Sequence, residues 1–70
     1  LNYIYNVLKQ INMTKEDVLQ AAINEGNEYE FISWDGLLDI CDEDMKLVNY
    51  LEKQLIKLKD EGKINFELDF

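Results

Sequence analysis

The sequence predicts one small α+β domain, mostly helical, with three to four helices and a small two-stranded antiparallel sheet. Three observations carry that expectation. In residues 42–62, DEDMKLVNYLEKQLIKLKDEG, the side chains of Leu47, Val48, Leu51, Leu55 and Leu58 fall in one narrow arc, the apolar stripe of a core-facing helix. Directly after Gly62 the period changes from that of a helix to that of a strand: in residues 63–70, Ile64, Phe66, Leu68 and Phe70 point one way and Asn65, Glu67 and Asp69 the other. A shorter alternation over residues 27–32 sets Tyr29 and Phe31 against Glu28 and Glu30, and supplies the partner strand.

Each element has its own local reason. Residues 1–12, LNYIYNVLKQIN, put Leu1, Ile4, Val7, Leu8 and Ile11 on one face, so a short amphipathic helix is expected there, capping the core or pairing with a copy of itself. Residues 14–70 form the remaining core of a single domain, 1–70. Thr14 followed by Glu16 and Asp17 reads as a helix start close to a capping box, with Val18, Leu19, Ala22 and Ile23 inward and Gly26 as the stop. Ser33 is expected to cap a second short helix from Trp34 to Cys41, and Asp42 to cap the long one. Leu51 and Leu55 should be almost fully buried.

Composition narrows the function classes. The net charge of −8 is uneven: from Glu16 to Asp44 there are ten carboxylates and no basic residue, whereas lysines and acids balance after Met45. That distribution favours a protein partner with a basic surface, or a homodimer, and disfavours DNA without forbidding it. Cys41 is the only cysteine, which suits a reducing cytoplasm, and no apolar run is long enough for a membrane span. Histidine is absent, so the commonest general base is missing, and no phosphate loop or metal-ligand spacing occurs. No catalytic, cofactor-binding or metal residue is expected. A calcium loop starting at Asp42 would place Leu47 at the glycine position and Lys53 at the bidentate glutamate, which excludes it.

From Thr14 onward the chain resembles a winged helix-turn-helix domain. The residues that carry the resemblance are TKEDVLQAAINEG, the short strand YEFI, the helix SWDGLLDIC, the tight Cys41-Asp42 turn, and LVNYLEKQLIKLKDEGKI with its leucine ladder and Glu-Gly stop. The resemblance implies that the long helix is the contact element, as in DNA-binding members whose third helix enters the major groove. It equally admits acidic members that bind proteins. A wing takes two strands and a loop, and one strand follows Gly62, so the wing is expected to be missing or completed elsewhere.

Opposite its leucines the long helix offers Lys46, Lys53 and Lys57 within about 40° of one another. Asn49, Tyr50 and Ile56 border the stripe. These residues together with Trp34, an aromatic of the kind enriched at interfaces, form the candidate partner-binding set. A solvated helix face and a partly buried Trp are the competing readings. The function expected is a non-enzymatic protein–protein interaction module, with a small dimeric DNA-binding regulator as the alternative.

Overall fold

The computed structural model describes residues 14–70, in which a first helix α1 (Lys15–Tyr29) leads into a strand β1 (Phe31–Ser33) and a short helix α2 (Trp34–Ile40). A long helix α3 (Met45–Asp60) and a strand β2 (Glu67–Asp69) follow. The helix expected over residues 1–12 lies outside the described residues.

Capping chemistry sets most of these boundaries. The Thr14 hydroxyl accepts from the Asp17 N–H at 3.1 Å while the Asp17 carboxylate accepts from the Thr14 N–H at 3.0 Å, a reciprocal capping box with Asp in the usual Glu position. Ser33 Oγ accepts from the Gly36 N–H at 3.1 Å and starts α2. The cap of α3 is Asp44 rather than Asp42: Asp44 Oδ1 accepts from the N–H groups of Lys46 at 3.1 Å and Leu47 at 3.3 Å. Asp42 is used up by the turn before it. There the Glu43 N–H donates to the Leu38 carbonyl at 2.9 Å and the Asp42 N–H to Asp39 at 3.2 Å, a Schellman closure of α2 with Asp42 (φ 53) at the position glycine usually takes. The same closure ends α3, where Lys63 N–H reaches the Leu58 carbonyl at 2.9 Å across Gly62 (φ 74). Here the expected glycine stop is correct.

The first helix corrects two expectations. It does not stop at Gly26 but runs on to Tyr29 and ends at Glu30, whose φ of 68 is left-handed. Gly26 serves a different purpose: a Cβ built on it would fall into the ring of Phe66, which packs against this turn of helix. The strand begins later as a result, at Phe31 rather than Asn27. An L-residue in the left-handed region costs about 1–2 kcal/mol, so Glu30→Gly is expected to stabilise the fold by about 0.5–1 kcal/mol after the added unfolded-state entropy. Urea titration should show the rise in midpoint without a change in slope.

The core gathers Val18 and Ala22 of α1, Ile32 of β1, Leu37 of α2, Cys41, Val48, Leu51 and Leu55 of α3, and Ile64 and Phe66 after it. Leu51 and Leu55 are both 0 % exposed, as the leucine stripe requires. Beyond α3 the alternation holds in burial although only part of it is ladder. Ile64 and Phe66 are buried and Leu68 half-buried, while Asn65, Glu67 and Asp69 are exposed, as is Phe70, which the sequence placed inward. Lys59 donates to the Phe66 carbonyl at 2.6 Å and ties this return segment to the end of α3.

The sheet overturns the antiparallel expectation, and with it the antiparallel sheet of a winged helix. β1 and β2 pair parallel, with Phe31 opposite Glu67, Ile32 opposite Leu68 and Ser33 opposite Asp69. The reason lies in the connection. Residues 34–66 contain two helices, so the chain crosses back over the core before pairing, and a long crossover is what delivers a strand in the same direction.

Candidate functional site

The inward stripe Val48, Leu51, Leu55 fixes the rotation of α3, and this turns Lys46, Asn49, Lys53, Ile56 and Lys57 out to solvent. Ile56 is 47 % exposed among these polar neighbours. Among the described residues the one ion pair is Lys63 with Glu61 at 3.4 Å, so Lys46, Lys53 and Lys57 have no acidic partner there. Tyr50 differs from its neighbours. It is half-buried, and the Lys15 ammonium of α1 sits 5.0 Å from the centre of its ring, so it belongs to the α1–α3 packing as much as to the surface. The fold therefore brings together five members of the candidate set on one face, keeps Tyr50 at its margin and leaves Trp34 elsewhere.

Trp34 opens α2 directly after β1, within a group that the sequence did not single out. Tyr29 (61 % exposed), Phe31 (47 %), Trp34 (38 %) and Phe70 (40 %) all remain at the surface around the sheet. Phe31 shares the outer face of the ladder with Ser33, Glu67 and Asp69, because Ile32 takes the inward position. Phe70 follows Asp69, and Trp34 follows Ser33, its partner in the last pair of the ladder. Glu28, Glu30 and Asp35, next to Tyr29, Phe31 and Trp34 in the chain, are exposed as well. The signal available in the sequence was Ile32 itself, the one branched aliphatic of Tyr29-Glu-Phe-Ile32 and so the residue of that run best suited to the buried position.

In the acidic turn the Asp44 carboxylate caps α3. Among the described residues no group of three His, Cys, Asp or Glu could hold a metal ion. Cys41 is buried, and burial first and Asp44 second push its thiol up to about 11, which leaves it protonated and a poor nucleophile at neutral pH. An open cleft of about 220 Å³ lies between Gly26, Asn27, Glu30, Asn65 and Phe66. It offers amides and one carboxylate over an aromatic floor, and no acid–base pair.

One carboxylate has a perturbed environment. Glu25 of α1 lies against the start of α2, its Oε2 3.0 Å from where a Gly36 Cβ would be, and burial, then Asp39 and Glu28, raise its pKa above the ordinary 4.5. In the window above that value the folded state binds more protons than the unfolded one, so stability falls as pH rises through it. Glu25→Gln should therefore raise the melting temperature at pH 7, with the gain vanishing below the ordinary carboxylate range. Paired thermal melts at neutral and acid pH check the sign.

Among the described residues no helix is long and apolar enough to cross a membrane. Comparison with protein-family models, with curated proteins and with solved structures gives no match.

Proposed function

We propose that this chain is a non-enzymatic protein–protein interaction module whose partner presents a basic surface. The observation that carries the reading is the set of aromatic side chains, Tyr29, Phe31, Trp34 and Phe70, left at the surface around the sheet, with the exposed carboxylates of Glu28, Glu30, Asp35, Glu67 and Asp69 next to them in chain or ladder. Aromatic residues concentrate binding energy at interfaces, and a carboxylate rim selects a cationic partner by charge and steers its approach.

A small DNA-binding regulator is the second reading, favoured by the exposed lysines of α3. Three lysines without arginine give phosphate contacts and little base discrimination, and the carboxylates of residues 16–44 repel the same backbone. Two measurements separate the readings. Capture from native lysate on immobilised protein should yield a partner that Phe31→Ser/Trp34→Ser loses. Duplex DNA should bind no tighter than roughly 10⁻⁴ M at physiological salt. Micromolar, sequence-selective binding to DNA, lost on Lys53→Ala/Lys57→Ala, would replace the module with the regulator.

A further inference from the structure

We infer that the outer edge of β2 is a strand-addition site for an extended segment of another protein in which Lys or Arg alternates with apolar residues. This rests on the interaction-module reading and specifies one surface and one kind of partner for it. Among the described residues the sheet has two strands, and the principal neighbour of β2 is β1. In the ladder the Glu67 N–H donates to the Glu30 carbonyl at 3.1 Å. Parallel pairing uses the groups of alternate residues, so the N–H and C=O of Leu68 turn to the far side, an edge that main-chain pairing can extend. The next carbonyl upstream on that edge, Phe66, is already taken by the Lys59 ammonium at 2.6 Å. Lys59 thus closes one end of the edge and centres any added strand on Leu68.

The side chains choose the occupant. An added strand meets Glu67 and Asp69 exposed on the outer face and Leu68 half-buried on the inner one. Opposite charges across a ladder attract and like charges repel, so basic residues flanking an apolar one fit this edge. A second copy does not. Paired antiparallel about Leu68, it would set Glu67 against Asp69 twice, in a chain that already carries −8.

The test titrates isotope-labelled protein with a synthetic heptapeptide of alternating Val and Lys, followed by amide shifts and exchange. Expected are shifts concentrated at residues 67–70 and slowed exchange at Leu68. The Glu-for-Lys peptide, and the Lys peptide N-methylated at its central valine, should each bind about tenfold more weakly or worse. Glu67→Lys/Asp69→Lys, both at exposed positions, should reverse the preference between the Lys and Glu peptides. Equal binding of the N-methylated peptide, shifts spread over residues 16–44, or no binding overturns the site, as does dimerisation through β2 in sedimentation. If Glu67→Lys/Asp69→Lys still captures the lysate partner that Phe31→Ser/Trp34→Ser loses, the module stands and this site falls.

Discussion

Leu51→Ala is expected to cost about 2–5 kcal/mol, because a fully buried leucine loses its transfer free energy and leaves a cavity that its neighbours only partly fill. Leu51 is 0 % exposed at the centre of the α3 stripe, with Val48 and Leu55 one turn away on either side. A domain of 70 residues has roughly 4–10 kcal/mol of stability in total, so the variant should be largely unfolded or close to it at room temperature. Circular dichroism in urea measures this directly. Lys53→Ala, on the outward face of the same helix, serves as the control and should stay within about 0.5 kcal/mol of the parent. Similar midpoints for the two would mean that the stripe is not the core.

The second large effect concerns Gly26 and Phe66, and its sign depends on context. In a helix interior Gly→Ala ordinarily gains about 1 kcal/mol. Here the new methyl would enter the Phe66 ring, and overpacking of that kind costs about 1–3 kcal/mol. Phe66→Ala alone should cost about 3–5 kcal/mol, since the ring is 5 % exposed and covers the last turns of α1. In that background the clash has gone, the methyl occupies part of the vacated space, and Gly26→Ala should turn from destabilising to stabilising. A double-mutant cycle therefore predicts strong favourable coupling between the two substitutions. Additive effects would show that the ring and the helix do not constrain each other.

How much of this was legible follows from the range of each interaction. Caps and helix faces depend on residues three or four apart, so the Thr14 box, the Ser33 cap, the Gly62 stop and the burial of Leu51 and Leu55 could all be read directly. Gly26 could not. A glycine at a helix end and one that admits a distant ring look alike in sequence, and the ring responsible is Phe66, far along the chain. Asp42 and Asp44 are equally good caps locally, and the turn geometry chose between them. Strand direction depended on the path of residues 34–66, whose two helices carry the chain back over the core into parallel pairing, and no local pattern specifies that path. At the candidate site the α3 face was legible because periodicity defines it. The aromatic group around β1 was not, because it is assembled from three successive elements and the far end of the chain.

The parallel ladder also has a kinetic consequence. It joins Phe31 to Glu67, whereas α2 packs on β1 and on α3, its immediate neighbours in the chain. The entropy of closing so long a loop must be met before three residue pairs return anything, so the ladder belongs late in folding, after α2 and α3 have docked. By the same reasoning it opens first, and amide exchange at residues 67–69 should outpace that at Leu51 and Leu55 by orders of magnitude. A partner that adds its strand to β2 would thus recognise only chains that have completed their folding, and its binding would select the finished state from among the partly assembled ones.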